Sequence, residues 1–194
     1  TEKQAALETA EAAVTEKEEA VENAKTALEE KETAYQEAQD KLAELDENYK
    51  QAVEATRAAQ EKVNSAQEAV NSAQSALSSA QATLSSTPST IPETRTGTSA
   101  DGTTYTYTVQ VPNPAYAAAQ QAVKEAEANL AEKEKELQAA QEELQKCKDA
   151  EQKALDAVNT QKEEVAQAKQ AVEDAQQQLE EAEQALKTAE EELE

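Results

Sequence analysis

Histidine, phenylalanine, tryptophan and methionine are missing from this chain, and glycine occurs only at Gly97 and Gly102. Each absence closes off some chemistry. Without histidine there is no imidazole to act as a base or ligate a metal, and Cys147, the one cysteine, lacks the neighbour that would activate it as a nucleophile. Two isolated glycines cannot build a loop that cradles phosphate on backbone N–H groups. Adjacent carboxylates such as Glu18-Glu19 and Glu180-Glu181 point to different faces of a helix, and no calcium-loop spacing joins them. No catalytic residue, cofactor or metal site is therefore expected, and the chain is not expected to be an enzyme. A single cysteine forms no internal disulfide and settles no compartment.

The means to fill a globular core are lacking too. Aromatic residues make up 3% of the chain, and alanine supplies most of the apolar fraction. A globular domain of this length buries roughly 70% of its unfolded surface, which takes large side chains in quantity. Basic residues are also few: 18 against 41 acidic, for a net charge of -23. Such a surface repels nucleic acid and anionic lipid, so neither is an expected partner. No apolar run approaches the ~18 residues of a membrane span, and no direct membrane insertion is expected. The chain opens on Thr1 without a visible signal peptide and reads as a segment of a longer protein.

What remains is spacing. Counted in sevens, one ladder runs Leu7, Val14, Val21, Leu28, Tyr35, Leu42, Tyr49, Thr56, Val63, Val70, Leu77, Leu84. A second runs Tyr116, Val123, Leu130, Leu137, Leu144, Glu151, Val158, Val165, Val172, Leu179, Leu186, Leu193. Thr56 alone breaks the first and Glu151 alone the second, so each arm carries a coiled-coil seam. With these positions named a, the d positions three residues on are mostly alanine, among them Ala59, Ala66, Ala73, Ala80, Ala119, Ala126 and Ala175. In an antiparallel pair the a residues of one helix meet the d residues of the other, so every layer joins one bulky side chain to one small one. A parallel pair of identical arms would stack alanine on alanine. The axes then approach toward the short end of the usual ~8–10 Å range.

The expected fold is therefore all-α, a long antiparallel two-helix coiled-coil hairpin with a small β-hairpin or irregular loop at the tip. Its parts are a first arm over residues 1–86, a tip insertion over 87–113 and a second arm over 114–194. Folding about the insertion sets Leu84 against Ala119, Leu130 against Ala73 and Leu28 against Ala175, with a slip of one heptad as the competitor. At ~1.5 Å per residue, each arm is on the order of 120 Å long. Thr56, Glu151 and Gln161 fall together when the arms are paired, which predicts a bent or loosened stretch between Leu42 and Ala58. Alanines at g in the first arm, such as Ala13, Ala20 and Ala27, leave a weak homodimer open beside the monomer.

"TGTSADGTTYTYTVQVPNPAY", Thr96 to Tyr116, breaks the composition. Pro88 and Pro92 stop the first helix near Ser86, while Asn113 caps the second and Pro114 suits its first turn. Thr103 to Val111 alternates as a strand does, and Asp101-Gly102 is a hairpin signal with Thr94–Thr98 as the partner strand. Whether the turn holds two residues or three stays open. Ile91 and Tyr116 are placed beneath the hairpin as support. An insertion of this size far exceeds the ~2–8 residues that join two helices. The expected partner-binding residues are Arg95, Thr96, Thr98, Asp101, Thr103, Tyr105, Tyr107 and Val109, acting through aromatic contact or strand addition.

The stretches "TALEEKETAYQEAQDKLAELDENYKQAVEATRAAQEKVNSAQ" and "EANLAEKEKELQAAQEELQKCKDAEQKALDAVNTQKEEVAQAKQAVEDAQQQLEEAEQ" resemble the stalks of Gram-positive cell-wall-anchored surface proteins of the adhesin and surface-exclusion type. The resemblance implies an extracellular location on a bacterial surface. It also implies a protein partner, such as a host glycoprotein, an immunoglobulin or another cell. A spacer with no ligand of its own and an adaptor hairpin that docks tip-to-tip in a transport assembly are the competing readings.

Overall fold

The structure, a computed structural model, describes residues 2–193; the outermost residues of the two expected arms, Thr1 and Glu194, lie outside the described residues. Four elements follow in chain order: helix α1 (Glu2–Ser86), strands β1 (Thr90–Thr98) and β2 (Thr104–Pro112), and helix α2 (Pro114–Leu193). Two long packed helices with a small antiparallel β-hairpin between them are what the ladders require. No glycine lies inside either helix, and the one proline of α2 is its first residue, where the missing N–H costs nothing.

The chain divides into two compact units, Thr1–Val53 with Asp149–Glu194 and Glu54–Lys148. The division falls inside the stretch where Thr56 and Glu151 interrupt the ladders. Neither helix breaks there: α1 and α2 each continue through it as a single helix. Between Val21 and Ala59 no residue of α1 is fully buried, and Leu42, Leu45, Tyr49, Ala52 and Thr56 are half-buried.

In the first unit, Val21, Val158 and Ala175 are buried, Val158 to 2% exposure. Gln161 corrects the expectation that it weakens the seam. It is 2% exposed, and its Nε2 donates to the backbone oxygen of Ala38 at 3.1 Å. A carbonyl oxygen has two lone pairs, so the Ala38 oxygen accepts this bond and still serves its own helix. Lys41 Nζ reaches Glu164 Oε2 at 3.6 Å.

In the second unit, Ala59, Ala73, Ala119 and Leu144 are buried. Lys62 Nζ donates to Glu143 Oε1 at 2.9 Å, and this bond holds the lysine pKa above its ordinary value. Such exposed pairs add little stability, but they report register. A slip of one heptad would carry Lys62 to Glu136 or Ala150, and Lys41 to Ala157 or Ala171. Both pairs instead select the alignment that sets Leu84 against Ala119, Leu144 against Ala59 and Val158 against Leu45. Every buried apolar residue named here occupies an a or d position of its ladder, and the d members are all alanine. The seam is the core.

Asn113 joins the helices to the insertion. Its side-chain oxygen accepts from the Ala115 N–H at 3.0 Å as the N-cap of α2, and its Nδ2 donates to the Pro88 oxygen at 2.7 Å. Its backbone N–H donates to the Ser89 oxygen at 2.9 Å. One residue thus starts α2 and holds the chain that leaves α1.

The Ala59–Leu144 layer can be tested by exchanging its members. Ala59→Leu should cost about 1–3 kcal/mol by overpacking, and Leu144→Ala about 2–3 kcal/mol by lost burial. The double variant should recover at least half of the summed loss in thermal unfolding followed by helical circular dichroism. Strict additivity would show that the two side chains do not share a layer.

Candidate binding site on the β-hairpin

β1 and β2 pair antiparallel, with Thr90 opposite Pro112 at one end and Thr98 opposite Thr104 at the other. β1 starts four residues before the expected Thr94. Pro92 does not stop it, because Pro92 faces the free edge of the strand, where no ladder donor is needed. The connection holds three residues, Ala100, Asp101 and Gly102. The Gly102 N–H donates to the Ser99 oxygen at 2.9 Å, and the Ser99 N–H donates to the Thr103 oxygen at 2.9 Å. Gly102 sits at φ 84°, the left-handed conformation that closes such a loop and that other residues resist. Asp101 Oδ1 accepts from the Ser99 hydroxyl and, at 3.1 Å, from the Thr103 N–H. These two bonds, the serine first, hold the Asp101 carboxyl below the usual aspartate range.

Residues opposite one another share a face, and the faces alternate along each strand. One face carries Ile91, Glu93, Arg95 and Gly97 against Val111, Val109, Tyr107 and Tyr105. Tyr105 and Tyr107 are 52% and 43% exposed, with ring centroids 5.9 Å apart and planes tilted by 37°. Tyr105 lies across Gly97, so closely that a Cβ there would sit 2.8 Å from the ring. Arg95 Nε donates to Glu93 Oε1 at 3.1 Å beside Tyr107. The other face is a sheet of threonines: Thr94, Thr96 and Thr98 stand opposite Thr108, Thr106 and Thr104. Gly97, Val109 and Val111 are half-buried; every other residue of the two strands is exposed.

The eight expected site residues are therefore divided. Arg95, Tyr105, Tyr107 and Val109 share the tyrosine face, Thr96 and Thr98 the opposite one, and Asp101 and Thr103 shape the turn. Ile91, expected beneath the hairpin, and Glu93, Gly97 and Val111 complete the tyrosine face, none of them among the expected partner-binding residues. Counting back from the turn, with Ile91 and Glu93 alternating ahead of Arg95, was the signal that could have found the first two. Ile91 is 38% exposed across from Val111 rather than buried under the hairpin, and Tyr116 in the first turn of α2 is half-buried. What ties the hairpin to its helices is Asn113.

Chemically this face offers two phenol rings, a guanidinium already paired to a carboxylate, and aliphatic groups between them. Among the described residues no group of three or more His, Cys, Asp or Glu side chains could hold a metal ion, and no helix is long and apolar enough to cross a membrane. Compared with known proteins, the chain matches no family model, no curated protein and no solved structure.

Two outcomes are expected here. Gly97→Ala should swing the Tyr105 ring off the strand, abolish the ring-current shift at the residue 97 α proton and cost the hairpin about 0.5–1 kcal/mol, with helicity unchanged. The Thr103 amide should titrate with Asp101, at a midpoint below the ordinary aspartate range. Because the folded carboxyl is the more acidic one, its contribution is complete above the unfolded aspartate pKa and is lost as pH falls through the folded value. A midpoint at or above the ordinary aspartate value would show that the carboxylate does not hold the turn.

Proposed function

We propose that this chain is an extracellular binding module of a bacterial surface protein, in which a helical stalk presents the β-hairpin to a protein partner. The observation that carries the reading is the pair Tyr105 and Tyr107, exposed side by side on a hairpin that neither helix covers. Tyrosine and arginine are the side chains most enriched at the energetic centres of interfaces, where the ring buries a large area at little conformational cost. A soluble chain gains nothing by exposing two adjacent rings at a loop that four residues could have closed. The surroundings suit docking as well. From Ala69 to Pro92, and again from Pro112 to Val123, no charged residue occurs, so a partner approaching the hairpin meets little of the chain's negative field.

The work proposed is binding and not catalysis, since no residue set here supplies a base, a nucleophile or a bound cofactor. The resemblance of the arms to cell-wall-anchored stalks supports the bacterial surface as the location. It also supports a host glycoprotein, such as an immunoglobulin, or a component of another cell as the partner.

The reading is tested by probing an array of host glycoproteins and immunoglobulins with three proteins: the intact chain, a form with Thr90–Pro112 replaced by a short Gly/Ser link, and Tyr105→Ala/Tyr107→Ala. The replacement should abolish capture while helical circular dichroism is unchanged, and the double alanine variant should weaken it at least about tenfold. Capture that survives the replacement would move the site onto the helices. An intact chain that captures nothing would leave the arms as a spacer.

A further inference from the structure

The hairpin has two free edges as well as two faces, and the edges are not equivalent. In an antiparallel ladder, bonded and non-bonded pairs alternate. The bonds from Ser99 to Thr103 and from Asn113 to Ser89 bracket the ladder. They place the inward-bonding pairs at Gly97/Tyr105, Arg95/Tyr107, Glu93/Val109 and Ile91/Val111. The remaining residues turn their backbone N–H and C=O groups outward. On β1 this outward row is interrupted by Pro92, and Glu93 and Arg95 lie along the strand, the devices that normally blunt an edge. On β2 the row Thr104, Thr106, Thr108, Gln110 is continuous. No proline falls among these four, and β2 holds no charged residue. An uncharged, β-branched and aromatic strand with a full set of free donors and acceptors is a template for another strand.

We infer that the β2 edge docks a second copy of this chain, β2 against β2 about a two-fold axis, to make a four-stranded sheet. Charge decides the occupant. A chain of net charge -23 repels its own copies along most of its surface. Around the hairpin that repulsion lapses. The last charged residue of α1 before it is Glu68, ~27 Å of helix from Ser86, and the first of α2 is Lys124, ~15 Å from Pro114. Both distances exceed the ~8 Å screening length at physiological salt. On the hairpin itself Glu93 and Arg95 neutralise each other, leaving Asp101 at the turn. The strand is also complementary to itself. Centred on Tyr107, the pairing bonds Thr106 to the second copy's Thr108 and Thr104 to its Gln110, with Tyr107 facing Tyr107. A lone two-stranded hairpin is marginal in water, and four strands are not. The ladder bonds come from the β2 edge, with the two Tyr107 side chains adjacent on one face, so the inference does not depend on a foreign protein binding those rings.

Sedimentation of the purified chain over a rising concentration series tests it without any ligand. A reversible dimer should form at high micromolar concentration. Thr106→Pro removes one outward donor per copy and should weaken the dimer about tenfold or more, whereas Thr96→Pro, the equivalent change on the β1 edge, should leave it unaltered. Amide spectra of the turn, reporting the Ser99 and Thr103 bonds, show whether each variant keeps its hairpin. Should Thr106→Pro lose it, Thr106→Lys/Thr108→Lys, which sets lysine against lysine across the axis, should abolish dimerisation in its place. In a Cys147→Ser background, Tyr107→Cys should cross-link under mild oxidation and Arg95→Cys should not. A chain that stays monomeric throughout, a dimer indifferent to both β2 variants, or one weakened equally by Thr96→Pro would each overturn the inference.

Discussion

A bulky side chain on one helix set against an alanine on the other is the contact on which the whole molecule rests. It lets a chain with almost no aromatic residues hold together, because the small partner brings the helices close and the large one fills the space left between them. Ala59 against Leu144 and Ala175 against Leu28 are instances in the second and first units respectively, and in each the alanine is buried. The arrangement tolerates little substitution by size at d, yet it admits a polar residue that can satisfy itself. Gln161 does so by reaching a backbone oxygen on the facing helix, so a layer with a polar residue at d remains closed.

The same economy explains why the hairpin is so exposed. A two-helix pair has no interior to lend it, and the seam is already filled by its own a and d residues. The strands are secured at two points: the turn, where Gly102 and the Asp101 carboxylate fix the chain reversal, and the base, where Asn113 caps α2 and bonds to Pro88 and Ser89. Between these points both faces stand in water. Surface placed there at a cost in folding is surface available for contact. The thinning of charge in the adjoining helices removes the main obstacle to that contact.

Exposed ion pairs have a different part. Lys62 with Glu143 and Lys41 with Glu164 lie at the edge of the seam in separate units, each half or more exposed. Their energy is small. Their value is directional, because a wrong heptad would leave both lysines without these carboxylates. The size pattern repeats every seven residues and sets the pairing only to within a heptad, and these two pairs mark which heptad is used.

Much of this was legible from the sequence because helical coiled coils write their core as a period of seven, and no distant residue is needed to read it. The two ladders determined the helices, their antiparallel pairing and the seam. Pro88, Asn113, Pro114 and the Asp101-Gly102 pair determined where helix gives way to strand and where the strand turns, since each acts through its own backbone. The sequence could not show that Pro92 is harmless, that the turn holds three residues, or that Thr96 and Thr98 stand opposite the face of Tyr105 and Tyr107. Those depend on which backbone groups face inward, a parity that shifts with a single residue at the turn. Nor could it show that Gln161 is buried and satisfied, because its acceptor, the Ala38 oxygen, lies 123 positions away and is brought near only by pairing the helices. Local periodicity decided the elements; the tertiary structure decided which of their polar groups found partners and which were left to face outward.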